Sequence, residues 1–172
     1  ICVIRMSGED AITLCDRFFR GRKSLCNAAT ATLHYGNIVD GEEVIDDVLV
    51  SVFRAPHSYT GENSVEISAH GSRYVVGRIL SLLLSRGARL AEAGEFTRRA
   101  FLAGRMDLSQ AEAVADVIAA DSRASHAVAS TQMRGAYSEK LAALRSKLLH
   151  ITSLLELELD FSEEDVEFAD RK

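Results

Sequence analysis

Proline, tryptophan and paired cysteines are scarce or missing in this chain of 172 residues, which has one proline, no tryptophan and three cysteines. Cys2, Cys15 and Cys26 form no C-x-x-C pair, and any disulfide pairing leaves one thiol over. This pattern favours a reducing compartment.

No apolar run reaches the roughly 20 residues that a membrane-spanning helix needs, and 47% hydrophobic residues are enough for a folded core. We therefore expect a soluble, cytoplasmic protein with no membrane partner.

An amino-terminal signal is also missing. The chain begins Ile1-Cys2-Val3, without an initiator methionine, a basic segment or a signal-like apolar segment. This beginning predicts a processed or truncated start rather than a secreted protein.

An excess of positive charge is absent as well, since the net charge is -5. This balance argues against a domain that binds nucleic acid by bulk charge alone. The charges are nevertheless uneven, because arginines concentrate between residues 73 and 105 and acidic residues at the end of the chain. The two groups are Arg73, Arg78, Arg86, Arg89, Arg98, Arg99 and Arg105, and Asp160, Glu163, Glu164, Asp165, Glu167 and Asp170. The arginines either meet a polyanion or form an ordinary solvated surface.

Several nucleotide-binding and hydrolase motifs do not occur. The nearest approach to the phosphate loop G-x-x-x-x-G-K-[ST] is G-R-K-S at residues 21–24, which lacks the second glycine that lets backbone amides surround a phosphate. We therefore expect no GTP site in this chain. No G-x-G-x-x-G, G-x-S-x-G or H-E-x-x-H motif occurs, and the histidines show no metal-ligand spacing, so we predict neither a metal site nor catalytic residues. For His70, a structural hydrogen bond is favoured over catalysis.

The first hundred residues mix strand and helix patterns, which predicts an α+β domain. Asp40-Gly41 is typical of a tight hairpin turn between two of the strands. In the first predicted helix, the apolar residues Ala11, Ile12, Cys15, Phe18 and Phe19 share a face. The predicted strands span residues 1–6, which we expect to be buried, 31–39, 44–53, 64–68 and 88–90, and the predicted helices span residues 9–19 and 72–85.

The pattern changes near residue 105, where glycine becomes scarce and helical periodicity takes over. We place a domain boundary there, with an α+β domain at 1–105 and part of an all-α domain at 106–172. The first helix begins with Ser109 as its cap, the second spans residues 122–133 and ends at Gly135, and the third spans residues 137–159. Their apolar positions are Ala111, Val114, Ala115 and Ile118 in the first helix, and Leu141, Leu144, Leu148, Ile151 and Leu155 in the third. The second set is either bundle core or a surface for a partner.

Two charged residues interrupt otherwise apolar strands. Arg5 lies between Ile4 and Met6, and Glu66 lies between Val65 and Ile67. A charge in such a place needs a partner. Either the two residues satisfy each other as a buried pair, or they face a ligand that carries both amide-like donors and carboxylates.

Several specific runs of residues follow one another along the chain. They are V-I-R-M-S-G at 3–8, S-Y-T-G-E at 58–62, V-E-I at 65–67, A-H-G at 69–71, G-E-F-T-R-R-A-F-L at 94–102, M-D-L-S-Q-A-E-A at 106–113, Q-M-R-G at 132–135, and D-F at 160–161 followed by E-E-D at 163–165. In these runs, and in their order over almost the whole chain, the sequence resembles the amino-terminal region of the MnmE (TrmE) family of tRNA-modification GTPases.

This resemblance implies a fold, a cofactor and a set of partners. The first domain is expected to resemble the tetrahydrofolate-binding domain of the glycine-cleavage T-protein group, to form a homodimer and to bind 5-formyltetrahydrofolate or another one-carbon tetrahydrofolate. The second is expected to be the first part of a central helical domain. GTP, Mg and K belong to the full-length protein only, which acts with MnmG to add an aminomethyl-type group to the wobble uridine of tRNA. The alternative is a stand-alone folate-binding or dimerisation module without a GTPase.

The family's folate contacts correspond to Arg5, Glu66 and Arg105. A pterin has adjacent N–H donors that a carboxylate such as Glu66 accepts two at a time, and the cofactor's glutamate carboxylates suit a guanidinium. Many relatives have lysine where Arg105 stands, so the charge is kept and the hydrogen-bond geometry differs.

Overall fold

The computed structural model describes residues 1–160 and divides the chain into two compact units, Ile1–Met106 and Asp107–Lys172. The acidic residues from 163 onward, and the family-like run that continues from Phe161, lie outside the described residues.

The first unit is an antiparallel sheet with helices, which confirms the predicted α+β class. Its strands are β1 (Cys2–Ser7), β2 (Phe19–Gly21), β3 (Thr32–Asp40), β4 (Glu43–Phe53) and β5 (Ser64–Ala69). Its helices are α1 (Ala11–Asp16), α2 (Arg73–Leu84) and α3 (Glu95–Leu102), with a short 3-10 turn at Leu25–Asn27. The strand order is β1-β5-β4-β3-β2.

The central hairpin forms where the sequence predicts it. β3 and β4 pair from Asp40 opposite Glu43 to Thr32 opposite Val52. Gly41 has a φ of +64°, a left-handed conformation that glycine adopts without strain. The strand predicted at 64–68 and the helix predicted at 72–85 are also confirmed, as β5 and α2.

One face of the sheet holds the core of the first unit. Alternate residues of a strand point to opposite faces, and Val50, Val65 and Ile67 are fully buried against Ile79 of α2. The other face, here called the open face, consists of residues that lie opposite one another across β1, β5, β4 and β3. It contains Arg5 and Glu66 together with exposed Val3, Leu33, Tyr35 and Leu49.

Three local predictions in this unit are wrong. The helix predicted at 9–19 ends at Asp16, because Phe19 pairs with Ile38 in the sheet instead of continuing the helix. No strand forms at 88–90, because the N–H of Ala88 donates to the carbonyl of Leu83 and closes the end of α2. β1 is not a buried strand, since it lies at the sheet edge.

The second unit contains the three predicted helices, α4 (Leu108–Ala119), α5 (Arg123–Met133) and α6 (Ala136–Asp160). The cap of α4 is Asp107 rather than Ser109. The Asp107 carboxylate accepts from the N–H of Gln110 at 2.8 Å, and the Gln110 side chain accepts from the N–H of Asp107 at 2.9 Å. This reciprocal pair satisfies two donors that the start of a helix leaves free.

The predicted apolar stripe of α4 is displaced. Ala113 is the buried residue of this helix, whereas Ile118, which we placed in the stripe, is 80% exposed. The leucine and isoleucine row of α6 is exposed too, so the other described helices of the second unit do not cover it. None of the helices within those residues combines the length and apolar character needed to cross a membrane.

Candidate functional site

Arg5 and Glu66 form a cross-strand ion pair on the open face. They lie opposite each other in the β1–β5 register, and the Nε and Nη2 atoms of Arg5 lie 2.7 Å and 2.6 Å from Oε1 of Glu66. The side chains are 41% and 27% exposed, so this is a solvent-accessible pair and not the buried pair that the sequence allowed. Both contacts use Oε1, and within residues 1–160 no donor hydrogen-bonds to Oε2. One carboxylate oxygen is therefore open to a ligand.

Two aromatic rings flank the Arg5 guanidinium. Its central carbon lies 5.5 Å from the ring centroid of Tyr59 and 5.6 Å from that of Phe96. A guanidinium within about 6 Å of such rings is attracted to their faces. The position of Arg5 is thus set by Glu66 and by the two rings together.

A cavity of about 350 Å³ lies beside β1 within the first unit. Its apolar wall includes Leu14, Leu80 and Leu83, and its charged wall includes Arg5, Arg89, Glu95 and Arg99. Pockets of this size, mostly apolar with a few polar groups, are typical of small-molecule sites. Arg5 is the residue that the cavity and the open-face ion pair have in common.

Glu95 is a buried carboxylate at the edge of this cavity. It is 4% exposed and accepts from both terminal nitrogens of Arg89 and from the N–H of Glu92 at 2.9 Å, and it forms an ion pair with Arg99, whose Nε lies 3.1 Å from Oε1. The bonds from Arg89 and from the Glu92 backbone outweigh the effect of burial and lower the pKa of Glu95 to about 2. Glu95 is therefore ionised at neutral pH and holds two arginines in place.

A second polar network joins the end of β1 to the loop before β5. The hydroxyl of Ser7 donates to Oε2 of Glu62 at 2.9 Å and lies 2.6 Å from the hydroxyl of Thr60. Arg99 donates from Nη1 to the same Glu62 oxygen at 2.9 Å. Thr60 is 1% exposed, so these bonds satisfy a buried hydroxyl that would otherwise be costly.

Arg105 lies against this loop but not in the Arg5–Glu66 pair. A methyl group placed on Gly61 would be 3.5 Å from the Cγ and Cδ atoms of Arg105. The structure thus brings Arg5 and Glu66 into direct contact and places Arg105 next to Gly61, outside that pair. Their assignment as folate contacts remains a prediction.

The other candidates from the sequence form structural contacts. The ring of His70 lies 2.8 Å from a carboxylate oxygen of Asp46, and its backbone N–H donates to the other at 2.8 Å. Burial acts to raise the pKa of Asp46, but the bonds from His70 lower it overall.

Within residues 1–160, no group of three histidine, cysteine or acidic side chains could hold a metal ion. Among the ion pairs formed between described residues, four of the seven clustered arginines take part: Arg78, Arg89, Arg98 and Arg99.

Sequence reasoning gave no role to helix α3, although its Phe96 lies against Arg5. The run G-E-F-T-R-R-A-F-L at 94–102 carries a local signal for this helix. Gly94 precedes the helix with a φ of +73°, a conformation that favours glycine, and Glu95, Phe96 and Arg99 then reach the cavity.

Comparison with known proteins identifies the family. Residues 1–105 match the sequence model of the GTP-binding protein TrmE N-terminus, and residues 108–172 match that of the MnmE helical domain. A protein named tRNA modification GTPase MnmE from Bacteroides thetaiotaomicron is 59% identical over 171 residues. One of the same name from Flavobacterium johnsoniae is 57% identical over 173 residues.

The alignments cover 98% and 99% of this chain but 37% of each relative. The chain therefore spans little more than a third of the length of the curated relatives that it matches. The two family models match one after the other along the chain and together cover both units. The first model alone covers more than half of the residues of this chain. This chain accordingly belongs to the MnmE (TrmE) family of tRNA-modification GTPases, and it corresponds to the TrmE amino-terminal region followed by helical-domain sequence.

Proposed function

We propose that this chain is the folate-binding and dimerising part of a tRNA-modification GTPase. In the full-length protein it would act with MnmG to add an aminomethyl-type group to the wobble uridine of tRNA, while GTP, Mg and K are used by another part of the protein. The family match over both units supports this placement. The cytoplasm is the compartment in which we expect this work.

The geometry around Glu66 is the observation that carries the folate proposal. Glu66 presents one uncommitted carboxylate oxygen, and Arg5 presents a guanidinium flanked by Tyr59 and Phe96. A pterin is planar, stacks on aromatic or guanidinium planes and has adjacent N–H donors that a carboxylate accepts. Arg105 is the cation that we propose for the cofactor's glutamate carboxylates.

Exposed apolar side chains on the open face support self-association. Val3, Leu33, Tyr35 and Leu49 lie on the same side of the sheet. A patch of this kind on a small domain is typical of an interaction surface. We propose that a second copy of the chain covers it.

Titration of the chain with two ligands tests the proposal. We expect saturable calorimetric binding of 5-formyltetrahydrofolate and no binding of GTP at micromolar concentrations, because the sequence lacks a phosphate loop. Saturable GTP binding without folate binding would contradict both parts.

A further inference from the structure

Helix α3 contacts both parts of the Arg5 site. Its Phe96 ring lies over the Arg5 guanidinium at 5.6 Å. Its Thr97 hydroxyl is 3.0 Å from the hydroxyl of Tyr59, the other ring that flanks Arg5. One helix therefore determines where both aromatic neighbours of Arg5 lie.

Arg99 connects this helix to the loop and to β1. Its Nη1 atom donates to Oε2 of Glu62 at 2.9 Å and to the carbonyl of Ser7 at 3.4 Å. Ser7 lies two residues after Arg5 in the same strand, and Glu62 lies three residues after Tyr59 in the loop. A single guanidinium thus ties together the two segments that contribute Arg5 and Tyr59.

Glu95 fixes the orientation of the Arg99 guanidinium. Its carboxylate is 4% exposed, forms an ion pair with Arg99 in which Nε lies 3.1 Å from Oε1, and is itself held by hydrogen bonds from Arg89. Nε of Arg99 therefore lies beside Glu95 while Nη1 of the same guanidinium donates to Glu62. A lysine has no such fork, so it cannot make both contacts in this geometry.

We propose that Arg99, oriented by Glu95, is a positioning residue that holds Tyr59 and Arg5 in the arrangement that binds the ligand. In this proposal Arg99 acts through its bonds to Glu62 and Ser7. This inference rests on the proposed folate function. It assigns to the G-E-F-T-R-R run a role in shaping the site.

The test compares two neighbouring arginines in the full chain. Arg98 is the matched control, because it lies next to Arg99 in α3 and its ion pair is with exposed Glu92 at 3.6 Å. Affinity for 5-formyltetrahydrofolate is measured by calorimetry at a temperature where each variant is folded. The Arg5 Nε–H resonance, assigned by its loss in Arg5→Lys, reports the ring-current environment that Tyr59 and Phe96 create, without any ligand.

We expect Arg99→Gln to weaken folate binding by roughly tenfold or more, since hydrogen bonds to charged groups are worth about that factor. We also expect it to shift the Arg5 resonance. Arg99→Lys should restore neither the folate affinity nor the Arg5 resonance. Arg98→Gln should leave the Arg5 resonance unchanged and the folate affinity within about twofold of that of the unsubstituted chain. If Arg99→Gln does not fold, Glu62→Gln removes the negative charge from the same contact on the more exposed loop side and should give the same two changes.

A double substitution tests the route through the loop. If Arg99 acts through Glu62, Arg99→Gln combined with Glu62→Gln should bind folate no more weakly than Arg99→Gln alone. An unchanged affinity or an unchanged Arg5 resonance in Arg99→Gln would overturn the inference. Effects of the same size from Arg98→Gln would also overturn it, as would losses of affinity from Arg99→Gln and Glu62→Gln that simply add in the double variant. Absence of folate binding by the unsubstituted chain overturns the proposed function together with this inference, whereas binding that Arg99→Gln leaves intact overturns only the inference.

Discussion

At the residue scale, the two carboxylate oxygens of Glu66 are in different situations. Oε1 is engaged by Arg5, and Oε2 has no hydrogen-bond donor within residues 1–160. Because both side chains are accessible to solvent, water screens their attraction, and pairs of this kind contribute about 0–1 kcal/mol to stability. The pair is therefore better suited to ligand recognition than to holding the fold together.

Glu66→Gln should weaken folate binding without destabilising the protein. Glutamine keeps the shape of the side chain but loses the charge and one acceptor oxygen for the pterin donors. We expect affinity for 5-formyltetrahydrofolate to fall by roughly tenfold or more, with the free energy of unfolding changed by less than about 1 kcal/mol. Thermal melts with and without the folate measure both quantities.

Glu43→Gln is the control for this substitution. Glu43 forms an exposed ion pair with Arg78 at 2.9 Å on another part of the sheet, so neutralising it should leave the folate-induced thermal shift unchanged. An unchanged shift in Glu66→Gln as well would show that Glu66 is structural and that the pterin binds elsewhere.

Glu95 gives a pH dependence of stability. Its pKa in the folded protein is about 2, below the ordinary value of 4.5. A group with a lowered folded pKa stabilises the fold fully above the unfolded pKa, and this contribution is lost as pH falls toward the folded value. The relevant window is therefore from 4.5 down to about 2.

We expect Glu95→Gln to be less stable than the unsubstituted chain at neutral pH, with a difference that shrinks as pH falls through that window. Urea unfolding of both proteins at a series of pH values measures this difference. A gap that stays constant from pH 7 to 2.5 would mean that the ionised carboxylate is not the stabilising form.

At the scale of elements, the contact between α4 and α5 depends on small buried side chains. Ala113 of α4 and Ala129 of α5 are the buried residues of these helices, and the two helices are in contact. The sequence pattern had selected Ala111 and Ala115 instead. Leucine at a buried alanine overpacks the interface, whereas leucine at exposed Ala115 does not.

Ala113→Leu should therefore destabilise the second unit by about 1–3 kcal/mol, and Ala115→Leu should change its stability by less than about 0.5 kcal/mol. Unfolding followed by the helical signal in circular dichroism measures both. A larger loss of stability in Ala115→Leu than in Ala113→Leu would support the apolar stripe that the sequence predicts and contradict the packing seen in the structure.

At the scale of the whole molecule, we expect the chain to form a homodimer through the open face of its sheet. Sedimentation should give about twice the monomer mass, because association buries the exposed apolar residues of that face. Leu49→Arg places a charge among them and should favour the monomer. Ile118→Arg introduces the same side chain at an exposed site in the other unit and should leave the dimer intact.

A monomer at tens of micromolar for the unsubstituted chain would contradict dimerisation by this chain. A dimer that survives Leu49→Arg would instead show that another surface is used. The oligomeric state of the unsubstituted chain tests whether this chain dimerises at all. The oligomeric state of Leu49→Arg tests whether the dimer uses the open face.

The sequence by itself determined the features that depend on neighbouring residues. Asp40-Gly41 specifies the hairpin through its turn geometry, and helical periodicity specifies α2, α5 and α6, because these signals act over a few positions. Charged residues in apolar strands likewise pointed to Arg5 and Glu66, since an uncompensated charge there is unfavourable wherever the strand lies.

The tertiary structure alone decided which distant residues meet. Arg5 and Glu66 are 61 positions apart, and Arg99 and Ser7 are 92 apart. Their contacts depend on strand order and on where α3 packs, neither of which has a local sequence signal. Phe19 pairs with Ile38 rather than extending a helix, and Ala113 rather than Ala115 is buried, for the same reason. Local propensities differ by less than about 1 kcal/mol per residue, so packing between distant segments determines the outcome.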